Sequence, residues 1–402
     1  MAETQGGARV KAADRVASFG TTVFAEFSRL ALEHGAVNLG QGFPDFDGPD
    51  EIKAAAQNAI AAGVNQYAVS QGAVALRQAL SAHSKRFYDQ TIDPMREVAV
   101  QSGCTEAIFD TVMAFVGPGD EVVVFEPYYD SYVASVAMAG GVCRYVRLRA
   151  PDATHDRYWF DERELAAAFS DRTKLVFVNT PHNPTGKVFT RDELTLIGAL
   201  CTQHDAILVS DEVYEHLVFA PAVHVRPATL PGLGDRTITL SSGGKSFSFT
   251  GWKIGWAIGP EPLISAVQKA HQWVTFATAS PFQAAIAEAL RLPDAYFQRF
   301  AADYRARRDK LRIALEGAGF AVHPCDGTYF LMADISGAGK GDDGAFCRWL
   351  TTEIKVAAIP PSSFYSQEHK ADAHRLARFA FCKSDAVLDE AARRLATIST
   401  RK

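Results

Sequence analysis

The sequence predicts an α/β fold in which a mainly parallel sheet is flanked by helices, together with a smaller α+β domain. Short β-branched apolar segments alternate with helix-length stretches through most of the chain, and this pattern changes after about residue 290. Such alternation is typical of right-handed βαβ units, whose parallel strands are buried on both faces. The nearly continuous apolar runs VVVF and LVFV fit strands buried in this way.

Each element of the expected sheet is a short segment rich in β-branched and apolar residues. The expected strands are Val98–Gln101, Glu121–Phe125, Gly141–Leu148, Lys174–Asn179, Ile207–Ser210 and Thr237–Leu240. Helices are expected between them over Thr105–Val116 and Arg191–His204. Thr190 and Glu193 have the spacing of a capping box at the start of the second helix.

The C-terminal part of the chain follows a different pattern. A long charged helix is expected over Asp294–Ala318, two strands over Phe320–His323 and Tyr329–Ala333, and a last helix over Asp385–Ser399. The segment Asn38–Asp47 is loop-like and too irregular for the main sheet. The predicted division is a mobile leader over 1–20, an N-terminal arm joining the small domain over 21–48, a large domain over 49–290 and a small domain over 291–402.

Composition limits the classes of function. The 402 residues are 48% hydrophobic and 22% charged, with a net charge of -5, which fits a globular protein with a sizeable core. Binding to nucleic acid or to an anionic membrane is not expected, because both require a basic surface. The six cysteines form no CxxC pair and no cluster with zinc spacing, which predicts reduced thiols, a cytoplasmic location and no metal site. The chain has neither an apolar run of transmembrane length nor a signal-like apolar N-terminus.

A lysine in a Gly/Ser-rich turn is the most informative feature of the sequence. Lys245 lies in SSGGKSFSFTGWKIGW (241–256), directly after a predicted strand. At the carboxyl end of a strand it would point into the crevice where α/β sheets bind ligands. A lysine amine forms Schiff bases with aldehydes once its pKa is lowered. Nearby Ser242 and Lys253 could bind a phosphate; the alternative is a surface turn with a solvated lysine.

Polar side chains follow two neighbouring predicted strands. Asp211 follows the strand ILV in SDEVY, where a carboxylate needs a cationic partner; the protonated pyridine nitrogen of pyridoxal phosphate (PLP) would supply one. Tyr214 could reach the phenolic oxygen of that ring. Asn179 and Asn183 in NTPHNPTG offer amides to the same crevice. The alternatives are a helix N-cap for Asp211 and a proline-stabilised turn for the asparagines.

Three further segments complete the requirements of this cofactor. Backbone amides at the helix start in SGCT (102–105), with the Thr105 hydroxyl, make an anion site suited to a phosphate. Tyr129 could stack on a flat ring, or else be a core aromatic. Arg378 could bind a substrate carboxylate in bidentate fashion, or else lie on a solvated strand face. The set predicts a PLP site at successive strand ends.

The chain resembles the class I, fold type I, aminotransferases, and within them the kynurenine aminotransferase, glutamine transaminase K and methionine aminotransferase group. The resemblance runs from about Thr22 to the C-terminus. Its motifs are NLGQGFPDF (38–46), NQY (65–67), EPYYDSY (126–132), NTPHNPTGKV (179–188), SDEVYEHLVF (210–219), SSGGKSFSFTGWKIGW (241–256), GTYFLMAD (327–334) and RFAFCK (378–383). The resemblance implies a seven-stranded sheet in the large domain and a homodimer with shared active sites.

The resemblance also implies roles for the matching residues around the cofactor. Lys245 would bind PLP and shuttle the proton, and Asp211 would pair with the pyridine nitrogen. Asn183 and Tyr214 would bond the phenolate oxygen, and Tyr129 would stack on the ring. The residues implied in phosphate binding are Gly103, Cys104, Thr105, Ser242 and Lys253, with Tyr67 reaching the phosphate of the neighbouring subunit.

On the substrate side, the resemblance implies that Arg378 and Asn183 bind the α-carboxylate beside the Gly42 backbone. Phe24 and Phe276 match positions of the side-chain pocket. Relatives that prefer aromatic substrates have tryptophan in place of Phe24 and histidine in place of Ala277. Succinyldiaminopimelate aminotransferases share the EHLVF and GTYFL motifs, so succinyldiaminopimelate is the alternative substrate.

The expected reaction is a ping-pong transamination from an L-amino acid to a 2-oxo acid, with Lys245 as the general base. Cysteine-conjugate β-lyase chemistry is expected as a side activity. A DNA-binding regulatory protein is disfavoured, because about 20 leader residues leave no room for an added helix-turn-helix domain. A dehydrogenase is disfavoured, because no GxGxxG follows the first strands.

Overall fold

The chain is described by a computed structural model over residues 12–17 and 19–398. Its largest sheet has seven strands in the order β2-β8-β7-β6-β5-β3-β4. All neighbouring pairs are parallel except those of β8, which runs antiparallel to β2 and β7. The strands are β1 Val37–Asn38, β2 Val98–Gln101, β3 Glu121–Glu126, β4 Val142–Arg147, β5 Thr173–Asn179, β6 Ile207–Asp211, β7 Thr237–Ser242, β8 Gly255–Ile258, β9 Ala321–Val322, β10 Phe330–Asp334, β11 Val356–Ala357 and β12 Leu376–Ala380.

Helices cover both faces of this sheet. The α-helices are α1 Asp14–Ala17, α2 Val23–His34, α3 Asp50–Ala61, α4 Val74–Tyr88, α5 Cys104–Phe115, α6 Asp130–Ala139, α7 Glu162–Ala167, α8 Arg191–Gln203, α9 Gly243–Ser246, α10 Glu261–Val274, α11 Ser280–Ala289, α12 Asp294–Gly317, α13 Asp343–Trp349 and α14 Asp385–Leu395. None of the helices in the described residues is long and apolar enough to cross a membrane.

The six strands expected from the sequence form, each within two residues of its predicted bounds. The capping box before α8 is present, with the Thr190 and Glu193 side chains each bonded to the other's backbone N–H. The seventh strand, β8, was not predicted. It is four residues long and contains a glycine, and its antiparallel pairing with β7 through the turn after Lys245 has no local signature.

The C-terminal part packs around a second sheet, in which β10 lies between β9 and β12 and pairs antiparallel with both. The 24-residue helix α12 agrees with the predicted charged helix. Most of the segment 38–47 is irregular as expected, but Asn38 pairs with Ala357 in a two-stranded parallel sheet with β11. This pairing ties the N-terminal arm to the C-terminal part of the chain.

Two predictions fall partly outside the described residues. Of the leader over 1–20, residues 1–11 and 18 lie outside them, and Asp14–Ala17 forms one exposed helical turn. The last predicted helix ends at Leu395, and Ser399 lies outside the described part of the chain. The mobility of the leader stays a prediction.

The fold determines where a site can form. Strands β3, β5, β6 and β7 are parallel, so their carboxyl ends lie along one edge of the sheet. Their interiors are buried throughout, apart from Lys174 near the start of β5 and the half-buried Ile207 at the start of β6. Polar residues that follow these strands therefore meet at a single edge.

Candidate active site

A cavity of about 280 Å³ lies at this edge, between the strand ends, the start of α5, the loop at 41–43 and strands β10 and β12. Most residues expected from the sequence line it together. The expected residues found there are Phe24, Gly42, Gly103, Cys104, Thr105, Tyr129, Asn183, Asp211, Tyr214, Ser242, Lys245, Lys253 and Arg378.

Lys245 reaches the cavity from α9, the single turn that follows β7. Its Nζ donates a hydrogen bond of 3.3 Å to the Gly42 carbonyl oxygen. The same oxygen accepts a 2.5 Å bond from the Tyr329 hydroxyl, so it fixes both groups. Burial lowers the pKa of Lys245 to about 8. A substantial neutral fraction is therefore present near neutral pH, which a nucleophilic or proton-accepting amine requires.

Asp211 ends β6, and its carboxylate is fixed by donors from three directions. The Tyr132 hydroxyl donates to Oδ2 at 2.6 Å, and the Val213 backbone N–H donates to Oδ1 at 3.2 Å. The Cys104 thiol approaches Oδ1 at 3.6 Å. Burial raises the pKa of Asp211, while these donors oppose that shift. The helix N-cap alternative is wrong, because the residues directly after Asp211 form turns and not a helix.

The two asparagines of NTPHNPTG form a bridge between Asp211 and the substrate side of the cavity. The Asn179 amide donates to the Asp211 carbonyl oxygen at 3.0 Å, and its Oδ1 accepts the Asn183 backbone N–H at 2.7 Å. The Asn183 side chain then accepts a 3.2 Å bond from Arg378 Nη1. The turn is thus part of the cavity wall.

The start of α5 forms a cradle. Gly103 precedes the helix with φ +84, and a Cβ on it would lie 3.2 Å from both Cε and Nζ of Lys253. A Cβ on Gly255 would lie 2.4 Å from the Gly103 carbonyl carbon. No side chain caps the first amides of α5. Positive charge and free helix-start amides in a close backbone turn fit an anion such as a phosphate.

Arg378 is a buried cation in the described structure, with a relative exposure of 1%. Nη2 donates to the Gly40 carbonyl oxygen at 2.8 Å, but Nε has no hydrogen-bond partner among the described residues. The rings of Phe24, Phe330 and Phe364 surround the guanidinium at 5.2, 4.2 and 5.1 Å. Burial lowers the pKa of Arg378 to about 10. The solvated-face alternative is therefore wrong, and the orphaned donor fits a carboxylate ligand.

Two expected residues do not line this cavity. Tyr67 is 82% exposed and packs edge-on against Phe276 at 5.4 Å between ring centroids. Phe276 is 47% exposed. Both lie on the outer surface of the chain, away from this cavity.

Sequence reasoning did not single out several residues that line the cavity. Tyr132 lies in the quoted motif EPYYDSY, one turn after Tyr129, and that spacing on α6 was the available signal. Tyr129 itself lies 3.4 Å from the Thr105 hydroxyl, and burial raises its pKa to about 12. The other lining residues that were not singled out also lie within the quoted motifs: Gln41, Phe43, Val213, Gly244, Thr250, Ile254 and Phe330.

Known proteins match this chain over nearly its whole length. The sequence profile of the family described as aminotransferase class I and II matches residues 35–395. The probable N-succinyldiaminopimelate aminotransferase of Mycobacterium tuberculosis is 46% identical over 394 residues, covering 96% of this chain and 98% of that protein. The kynurenine–oxoglutarate transaminase of Dictyostelium discoideum is 40% identical, covering 95% of each. The crystal structure of YbdL from Escherichia coli, for which a methionine aminotransferase function was identified, has a TM-score of 0.92 and 38% identity, covering 96% of this chain and 100% of that one.

Proposed function

The chain belongs to the class I and II aminotransferase family and is a transferase of fold type I, and from this premise we propose that it transfers amino groups through PLP bound to Lys245. The observation that carries this proposal is the convergence of a lysine of lowered pKa, a buried aspartate and an anion cradle in one cavity. An amino donor and a 2-oxo acid would react in turn at this cavity.

The residues present fit PLP in shape and chemistry. Asp211 would pair with the pyridine nitrogen, Tyr129 would stack on the ring, and Asn183 and Tyr214 would bond the phenolate oxygen. The cradle at the start of α5, where Gly103 leaves room that a Cβ would fill, suits the phosphate. The groups proposed to bind that phosphate are the 103–105 backbone and hydroxyl, Ser242 and Lys253, with Tyr67 from a second copy of the chain.

When bound, PLP supplies an aldehyde that condenses with amines and a ring that withdraws electrons from the substrate Cα. Proton transfer and stabilisation of the ring would come from side chains of the protein. Lys245 Nζ is the base that would take the proton from Cα, because its lowered pKa makes the neutral amine more accessible than that of an exposed lysine. Asp211 would keep the pyridine nitrogen protonated, with Tyr132 stabilising the carboxylate.

Arg378 is proposed to bind the α-carboxylate of the substrate. Its unpaired Nε and its burial among three aromatic rings make the guanidinium a strong partner for an anion. Asn183, already bonded to Nη1, would orient the clamp, and the Gly42 backbone would lie beside it. Phe24 lines the same end of the cavity and would contact the substrate side chain.

The amino donor that we test first is N-succinyldiaminopimelate. The specific observation in its favour is the 46% identity to the mycobacterial protein over 96% of this chain. Kynurenine and methionine are the competing donors, in view of the 40% identity to the Dictyostelium enzyme and the TM-score of 0.92 with YbdL. Initial rates with each donor at equal concentration decide between them.

The deciding experiment is a visible absorbance spectrum of the purified protein with PLP, before and after single amino donors are added. A cofactor band that bleaches with one donor in the absence of an acceptor, and returns with 2-oxoglutarate, would support a ping-pong transamination. Lys245→Ala should show no turnover, whereas Lys174→Ala, an exposed lysine at the far end of β5, should behave as wild type. Normal turnover by Lys245→Ala, or no cofactor band at all, would overturn the proposal.

We also propose a homodimer with shared sites, the division into a large domain over 49–290 and a small domain over 291–402, and an arm over 21–48. The pairing of β1 with β11 supports the position of the arm. The cytoplasmic location stays a prediction. Six cysteines without disulfides are compatible with it.

A further inference from the structure

Two helices beside the cavity carry a cluster of ionisable side chains that transamination does not use. Glu106 and Asp110 lie one turn apart on α5, so both face the same neighbour, α10. His271 on α10 places its Nδ1 3.0 Å from Glu106 Oε1 and 3.6 Å from Asp110 Oδ2. One potential ligand atom from each residue lies within 4.8 Å of the other two.

Asp110 is the unusual member of this cluster. Its relative exposure is 0%, yet neither carboxylate oxygen has a hydrogen-bond partner among the described residues. His271, also fully buried, is beyond hydrogen-bond distance from it and can offer one positive charge to two carboxylates. A buried carboxylate without a donor is costly, and such groups usually coordinate a metal or pair with a cation.

We propose that Glu106, Asp110 and His271 bind a divalent transition-metal ion, with Zn²⁺ as the best match. Zinc binds histidine nitrogen and carboxylate oxygen at about 2.0 to 2.2 Å, so tetrahedral ligand atoms are about 3.3 to 3.6 Å apart. The His271–Asp110 separation of 3.6 Å lies at the upper end of this range, and the His271–Glu106 separation of 3.0 Å is slightly shorter. Mg²⁺ and Ca²⁺ prefer oxygen ligands alone, and the imidazole therefore favours zinc.

Glu106 is the member of the cluster that reaches a surface cavity, whereas Asp110 and His271 are fully buried behind it. This cavity of about 330 Å³ is also lined by Ser102, Thr105, Thr275 and Lys253. This cavity could admit the ion and supply water as a fourth ligand.

A bound ion would be linked to the start of α5. The second oxygen of Glu106 accepts the backbone N–H of Ser102, next to Gly103. The ion would therefore fix the turn that opens the anion cradle, without taking part in the chemistry.

A second cluster in the described residues provides a matched control. His83 and His216 place their Nε2 atoms 2.8 Å apart near Glu215. However, Glu215 Oε2 already accepts bonds from Tyr88 and Arg226, at 2.5 and 2.8 Å, and the arginine would repel another cation. His83→Gln therefore removes a histidine of similar burial from a cluster that we expect not to bind metal.

The test is zinc binding to the PLP-loaded protein. The protein is stripped with a chelator, desalted and dialysed against buffered Zn²⁺, and zinc per chain is counted by mass spectrometry. We expect one zinc per chain in wild type and in His83→Gln. In Asp110→Asn, which keeps the shape but loses the charge, we expect at least about tenfold weaker binding.

A second measurement distinguishes the loss of a zinc ligand from a folding defect. Zn²⁺ should raise the melting temperature of wild type but not that of Asp110→Asn, because only a ligand of the native state stabilises it. If Asp110→Asn fails to fold, His271→Gln replaces it. No zinc in wild type, equal zinc in wild type and the Asp110 variant, or loss only in His83→Gln would each overturn the proposal. None of these results depends on turnover.

Discussion

At the scale of single residues, the chemistry of the cavity depends on buried charged side chains whose hydrogen-bonding capacity is only partly satisfied. Asp211 has donors on both carboxylate oxygens, Lys245 has one carbonyl acceptor, and Arg378 has an unused Nε. All three residues line the cavity, and none of them has its hydrogen-bonding capacity fully used. That remaining capacity is what a cofactor and a substrate would use.

The lowered pKa of Lys245 leads to a prediction about cofactor loading. Only the neutral amine attacks an aldehyde, so the rate of PLP incorporation into the stripped protein should rise with pH up to about 8 and then level off. The measurement is the appearance of the cofactor band between pH 6.5 and 9.5. A rate that still climbs tenfold per pH unit above 9 would mean that the amine behaves as an exposed lysine.

Tyr132→Phe should weaken the cofactor site through Asp211. The variant removes the 2.6 Å bond to Oδ2, and hydrogen bonds to charged groups contribute about 1.5 to 3 kcal/mol. We expect PLP to dissociate at least about tenfold more readily. Tyr145→Phe on β4, away from the cavity, is the control. Unchanged PLP affinity in Tyr132→Phe would show that Asp211 does not need this donor.

At the scale of elements, the cavity depends on how closely α5 approaches the turn and strand after Lys245. Gly103 contacts Lys253, and Gly255 on β8 leaves no space for a side chain against Gly103. The nearest neighbours of Gly103 are the Cε and Nζ atoms of the Lys253 side chain, whereas those of Gly255 are backbone atoms of Gly103 and Cys104. A side chain at either position would separate the helix start from the strand and change the shape of the cradle.

Gly103→Ala should therefore impair phosphate binding, because the new Cβ would press against Lys253 in addition to straining the backbone. Its φ is +84, and the new Cβ would lie 3.2 Å from Lys253 Nζ. Gly63→Ala is a matched control with φ +85 and nothing within 4 Å. Both variants should lose about 1 to 3 kcal/mol of folding free energy, but only Gly103→Ala should bind PLP about tenfold more weakly in a fluorescence titration. Equal PLP affinity in the two variants would contradict the cradle.

At the scale of the whole molecule, exposed apolar side chains gather where two segments meet. Tyr67 packs on Phe276, and Val69, Trp273 and Val274 are also exposed, Trp273 by 83%. Large exposed aromatic groups of this kind mark protein interfaces. The patch fits the proposed homodimer, in which Tyr67 would reach the site of the other copy.

Trp273→Asp should shift the protein from dimer to monomer, because a buried, unpaired carboxylate at an interface is unfavourable. Leu32→Asp is the control, since Leu32 on α2 is 85% exposed and lies outside the patch. Light scattering at several concentrations measures the masses. Either a dimer that Trp273→Asp leaves intact or a monomeric wild type would contradict the proposal of shared sites.

The sequence by itself predicted six of the seven strands of the main sheet, and it predicted that Lys245, Asp211 and Asn183 follow strand ends. Its strands are runs of β-branched residues, and the motifs of Lys245, Asp211 and Asn183 each follow such a run directly. Because parallel strands end at one edge, local order along the chain was enough to bring these residues together. The family followed from the same motifs.

Only the tertiary structure decided what depends on packing between distant segments. Arg378 lies on β12, and its burial and its bond to Asn183 join residues 195 apart in sequence. Likewise, Glu106 and His271 meet across 165 residues. Local patterns set backbone conformation, whereas burial and side-chain proximity arise when helices and strands pack, and no short stretch of sequence encodes them.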